Sequence, residues 1–216
     1  DLIQGPFVSV AAVGDSRTVR LGASATDDGW SYVNAEAGDF AKMCVADTAC
    51  ADCGTDLAVV VAAGDELEVT FRYTRAGTYT LCWLMNRRSY AEFGDLYPPS
   101  PDFVEWPIHA VVVSIDDVTP RGTARACASR VEVRGSGFAL LQELLGAATV
   151  PVACVFDFGR ADATVKSDER IVCQRGPSPG PTAPLSAAPA TLEFGLDEAY
   201  GSVALTDAFT VFSLDG

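Results

Sequence analysis

Cysteine has the most chemistry to offer in this sequence. Seven cysteines stand at positions 44, 50, 53, 82, 127, 154 and 173 of 216 residues. That number points to disulfides and an oxidising compartment rather than to buried free thiols. Cys50-Ala-Asp-Cys53 has the CxxC spacing of zinc or thiol redox sites. A zinc site needs two further ligands, and the other cysteines are better placed as disulfide partners, so no metal is assigned. His109 is the only histidine, so any Ser-His-Asp or Cys-His centre would need it. It lies in a strand-like run between Ile108 and Ala110 and reads as structural. The glycines of GSG at 135–137 precede FALLQELLG, which could be helical, but the Lys-Ser/Thr of a phosphate loop is missing. Asp116-Asp117 and Asp27-Asp28-Gly29 offer oxygen ligands suited to calcium, without the spaced pattern of a calcium loop. No catalytic residue, cofactor or enzymatic activity is expected.

Charge narrows the partners. The chain carries a formal −14, which argues against nucleic acid and anionic membrane surfaces, both of which must be met by Lys and Arg. Divided at 113/114, the halves hold 7 basic and 16 acidic residues, then 8 and 13. Neither half reads as a basic module. No run of about 20 apolar residues is present, so no membrane insertion is expected. Starting at Asp1 and ending soon after a strand-like AFTVFSL, the sequence reads as a piece of a larger secreted or surface protein.

The elements that would position these residues are short and strand-like. FVSVAAV (7–13), TVRLGA (18–23), LAVVVAA (57–63) and LEVTFRY (67–73) are separated by Gly, Asp and Ser, the spacing of an all-β sandwich. GDELEVTFRYTRAGTYTLCW (64–83) reads as two strands joined at Thr74–Gly77. Leu67, Val69, Phe71 and Tyr73 share one face of the first, and Tyr79, Leu81 and Trp83 one face of the second, leaving Cys82 opposite. NAEAGDFAKMC (34–44) could form a helical turn or two. Residues 85–107 read as a long loop because of Pro98, Pro99, Pro101 and Pro107. Tyr90, Phe93, Tyr97, Phe103 and Trp106 in that loop either cover an open end of the sandwich or form a partner-binding patch. IHAVVVSIDDV (108–118) carries no linker residues and should run from one domain into the next, which restricts the angle between them.

In the second half, Arg130, Glu132 and Arg134 alternate with Val131 and Val133, a half-buried strand. Gly135 and Gly137 would break it, and Phe138 returns to the core. With Val118-Thr-Pro-Arg-Gly122 upstream, and VACVFDFG (152–159) and VKSDERIVC (165–173) downstream, this half resembles the IPT/TIG family of immunoglobulin-like domains. The resemblance implies a β-sandwich and a disulfide between Cys154 and Cys173, whose strand phases also let both point inward. PSPGPTAPLSAAP (177–189) reads as an extended loop whose Ser-Pro and Ala-Pro steps resemble hydroxyproline glycosylation sites, hence a candidate glycoprotein.

The expectation is two tandem immunoglobulin-like β-sandwiches, at 1–113 and 114–216. Cys44–Cys82 and Cys50–Cys53 are the first-half disulfides chosen, with Cys50 or Cys53 to Cys127 as an alternative. Cys127 is otherwise the odd thiol, free or intermolecular. The function expected is that of a non-enzymatic structural or adhesive module at the cell surface, ciliary and cell-wall settings included. Its partners would be other domains of the parent protein and extracellular proteins. The alternative is a carbohydrate-binding accessory module of a secreted enzyme, with Trp30, Trp83, Trp106 and the loop tyrosines Tyr90 and Tyr97 stacking on a glycan.

Overall fold

A computed structural model describes residues 7–22, 37–53, 58–63, 66–84, 104–174, 178–180, 182–185 and 187–213. The described chain is almost wholly strand: β1 (Phe7–Ala12), β2 (Ser16–Gly22), β3 (Phe40–Val45), β4 (Ala58–Val59), β5 (Val61–Ala63), β6 (Glu66–Arg72), β7 (Gly77–Leu84), β8 (Val104–Thr119), β9 (Gly122–Ala124), β10 (Val131–Ser136), β11 (Val152–Phe156), β12 (Gly159–Ser167), β13 (Arg170–Cys173), β14 (Ala187–Phe194) and β15 (Gly201–Phe212). One short helix, α1 (Leu140–Leu145), interrupts them. Two compact units emerge. The first comprises Asp1–Val8, Asp15–Arg72 and Thr78–Ala110; the second comprises Ser9–Gly14, Tyr73–Gly77 and Val111–Gly216.

In the first unit β2, β6 and β5 form one sheet, and β4, β3, β7 and β8 lie side by side in another. The two strands expected on either side of Thr74–Gly77 are present, and they lie in different sheets rather than pairing with each other. Val69 and Phe71 of β6 and Tyr73 just after it are buried, as are Tyr79, Leu81 and Trp83 along β7. Two such apolar stripes are buried best across a sandwich about 10 Å thick, and the connection steps between layers. Phe40–Val45 is strand rather than helix. Six consecutive pairs with β7, from Phe40↔Leu84 to Val45↔Tyr79, outweigh the helical composition around it. β8 begins at Val104, so the proline-rich stretch ends earlier than expected. Pro107 forgoes one ladder bond, which a 16-residue strand tolerates.

The second unit is an immunoglobulin-like sandwich in its strand order, β8-β10-β13-β12-β11-β14-β15-β9. β12 links the layers. Its first residues pair with β11 (Ala161↔Cys154) and its last with β13 (Val165↔Ile171), and Ala163 pairs with both Val152 and Cys173. β9 closes the other side by running parallel to β15. Alternation in β10 buries Val131, Val133 and Gly135 and turns Glu132 and Arg134 outward. Gly135 does not end this strand as expected. It sits at a register shift against β8, where a Cβ would lie 1.9 Å from the Ser114 carbonyl oxygen. Only glycine permits that approach. Asp168 accepts the backbone N–H groups of Gly137 and Ala139, both at 3.1 Å, and so holds the lead into α1. Phe158 lies in the turn after β11 rather than in the strand, yet stacks on Phe156 at 5.2 Å. Pro189 falls within β14, where the pairing with β15 skips between Ala188 and Ala190. A bulge there spares the missing N–H.

Candidate interaction surface

The first-unit disulfides differ from the expected pairing. Cys44 is joined to Cys53 and Cys50 to Cys82, with Cα separations of 5.6 and 5.8 Å. Cys44–Cys82 and Cys50–Cys53 do not form, and register explains why. In the β3–β7 ladder Cys44 stands opposite Thr80, while Cys82 stands opposite Lys42. Cys44 and Cys82 are thus diagonal neighbours, typically about 7–8 Å apart, beyond the usual reach of a disulfide. Each instead takes a partner from the loop that follows β3. The alternative partner, Cys127, is exposed and unbridged.

This loop lies over one face of β3 and β7. Lys42 is only 5% exposed, and its Nζ donates to the Cys53 carbonyl at 2.9 Å. Ala46, Asp47, Thr48 and Ala49 line a cavity of about 270 Å³ whose floor is Thr80 and Cys82. His109 has a structural partner, its Nδ1 lying 3.1 Å from Thr80 Oγ1. Trp83 is buried and donates its Nε1 proton to Asp39 Oδ2 at 2.9 Å. It is therefore closed to the sugar stacking considered for it.

In the second unit Cys154 and Cys173 are joined, with both side chains at 0% exposure. They belong to β11 and β13, strands that do not pair with each other. The bridge crosses the core.

The outer face of β8, β10 and β13 gathers what a charge count by halves cannot see. Arg134 stands directly opposite Asp117 on one side and Arg170 on the other. Two arginines side by side across a ladder repel. Glu132 offsets this by accepting from both: Arg134 Nε at 3.0 Å and Arg170 Nη2. The Arg170 and Arg134 hydrogen bonds hold the Glu132 carboxyl below its ordinary range. Asp117 accepts from Thr119 Oγ1 at 3.0 Å and from Arg121 Nη2 at 3.4 Å. The Thr119 hydrogen bond, followed by Arg121, likewise holds its carboxyl low. Arg130, exposed at the start of the strand, has no partner among the described residues. Asp117, Thr119, Pro120, Arg130, Glu132, Arg134 and Arg170 line an open groove of about 530 Å³.

Elsewhere in this unit Glu193, 7% exposed, pairs with Arg160 at 2.5 Å. Burial pushes its carboxyl up, and Glu198 and Asp197 add to that against the pull of Arg160. Among the described residues no group of three or more His, Cys, Asp or Glu side chains could hold a metal. Asp27 and Asp28 lie outside the described residues, as do Trp30, Tyr90, Phe93, Tyr97 and Phe103, and Trp106 falls in β8. No described helix is long and apolar enough to cross a membrane.

No protein-family model matches this sequence, and neither does any curated protein. Solved structures do match. A four-domain ICAM-5 ectodomain fragment is 12% identical with a TM-score of 0.31, over 99% of this chain and 53% of that one. SGBP-B from a complex xyloglucan utilization locus in Bacteroides uniformis is 11% identical at a TM-score of 0.29, over 92% and 49%. Domains 5–6 of the S-layer protein SbsC are 13% identical at 0.24, over 97% and 94%. The chain thus spans about half the length of the ICAM-5 fragment.

Proposed function

We propose that this chain is a non-enzymatic extracellular module, a piece of a larger secreted or cell-surface protein that mediates protein–protein assembly. It works by display: disulfide-pinned sandwiches hold loops and sheet faces in place for neighbouring domains and extracellular protein partners. We assign two domains, at 1–113 and 114–216, the second of IPT/TIG type. Its strand order and the bridge between Cys154 and Cys173 support that assignment. The observation that carries the extracellular reading is the use of six of seven cysteines in three bridges, which requires an oxidising compartment. The carbohydrate-binding alternative loses support because Trp83 is buried and hydrogen-bonded.

Two measurements test this reading. Material made in an oxidising secretory host should carry three bridges and fold, and reducing-cytosol material should not. Affinity capture from extracellular extract, run beside a glycan array, should return proteins and leave the array blank. A strong, selective glycan signal with no protein captured would reverse the assignment.

A further inference from the structure

We propose that the groove on the outer face of β8, β10 and β13 docks an acidic segment of a protein partner through Arg130, Arg134 and Arg170. This rests on the reading of the chain as a protein-binding module and names the surface and the chemistry of one partner.

Composition makes the face unusual. The chain holds 15 basic residues against 29 acidic ones, yet four arginines meet here: Arg121, Arg130, Arg134 and Arg170. Two carboxylates answer them, Asp117 and Glu132. The groove lining, three arginines against two carboxylates, therefore carries a net +1 within a chain of −14. The residual charge is well placed. Glu132 is shared between Arg134 and Arg170, so neither guanidinium is fully matched. A guanidinium offers five donors in a planar fork suited to carboxylate. Arg130 remains for a second carboxylate. Glu132 also orients its two arginines before any partner arrives, which lowers the entropy lost on binding.

The lining selects among anions. Among its seven residues none is aromatic, so a sugar acid would find no ring to stack on. A nucleic acid would extend beyond the groove and meet the acidic remainder of the chain. A short stretch of Glu or Asp need not. At physiological ionic strength charges more than about 8 Å away are largely screened, so the arginines in contact decide the outcome.

The test uses the whole chain and a fluorescein-labelled octaglutamate peptide, followed by fluorescence anisotropy. Saturable binding is expected in about 50 mM NaCl, weakening at least about fivefold by about 300 mM. The double variant Arg130→Glu with Arg170→Glu should bind at least about tenfold more weakly. Arg75→Glu, an exposed arginine away from the groove, should bind as the parent does. Melting curves show whether each variant is folded. If the double variant fails to fold, Arg130→Ala alone, at a residue with no partner to lose, should still weaken binding about threefold. No binding to the parent chain, or an equal loss in Arg75→Glu, overturns the proposal. So does binding of octagalacturonate in place of octaglutamate. If extracellular proteins are captured while octaglutamate is ignored, the assembly function stands and only this surface assignment fails.

Discussion

Cys154 and Cys173 come from strands that never pair, whereas Cys44 and Cys82 come from strands that do. In the first case both side chains point into the space between two layers, and inward phase alone brings them together. In the second, both sit on one face of a single ladder, two positions out of step. There a disulfide would need direct opposition, and the diagonal offset sends each cysteine to the loop above it. A cross-core bridge can be read from alternation. A bridge beside a ladder depends on register, which alternation does not reveal.

The largest expected effect tests how tightly the second unit is packed. Gly135→Ala drives a Cβ into the Ser114 carbonyl, and unfolding in denaturant should show a loss of more than about 3 kcal/mol. Gly77→Ala, whose Cβ meets no atom within 4 Å, should cost only about 1 kcal/mol through its positive φ. Equal losses would mean that close approach to the Ser114 carbonyl is not what makes Gly135 indispensable.

Next come the bridges. Replacing Cys154 and Cys173 together by Ala opens a loop with a sequence separation of 19 and should destabilise by about 3 kcal/mol. The contrast sharpens under mild reduction. Cys50 is partly exposed and a cavity reaches Cys82, while Cys154 and Cys173 are sealed in the core. Timed alkylation with peptide mapping should show Cys50–Cys82 opening at least about tenfold sooner than Cys154–Cys173. Simultaneous opening, or peptides linking Cys44 to Cys82, would erase the distinction between the two regions.

Lys42→Met probes the loop-bearing face alone. The change keeps a long apolar stem but removes the donor to the Cys53 carbonyl, at a cost of about 1–2 kcal/mol by thermal melting. The loop should also become easier to cleave by protease. Unchanged protection would show that the two bridges suffice to hold it.

The smallest effects are pH-dependent and opposite in sign. Arginine hydrogen bonds depress the Glu132 carboxyl, so its contribution is present above the unfolded value and fades as pH falls through the folded one. Glu132→Gln should therefore be less stable than the parent at neutral pH, and the gap should close below about pH 4. Burial raises the Glu193 carboxyl, so its favourable contribution belongs to low pH and is lost as pH rises through the folded value. Glu193→Gln should be slightly more stable than the parent at neutral pH and equal to it in acid. Melting curves of both variants from about pH 3 to 8 check the signs.

Period-two alternation in LEVTF and RVEV marked the all-β class, the inward faces of β6, β7 and β10 and the inward phase of Cys154 and Cys173. FALLQELLG, which by its sequence could be helical, holds the one short helix at Leu140–Leu145. Alternation is a local property, carried by side chains one or two residues apart. Only the tertiary structure decided that β6 and β7 lie in different sheets and that Phe40–Val45 is a strand paired with β7. It also set Cys44 two positions out of step with Cys82. The gathering of Arg121, Arg130, Arg134 and Arg170 was hidden in the same way. These arginines are spread along 50 residues of an acidic chain, and no count by halves distinguishes them from scattered surface charge. They meet because β13 pairs with β10 and β10 with β8. That pairing follows from burying Val131, Val133, Ile171 and Cys173 together in one core.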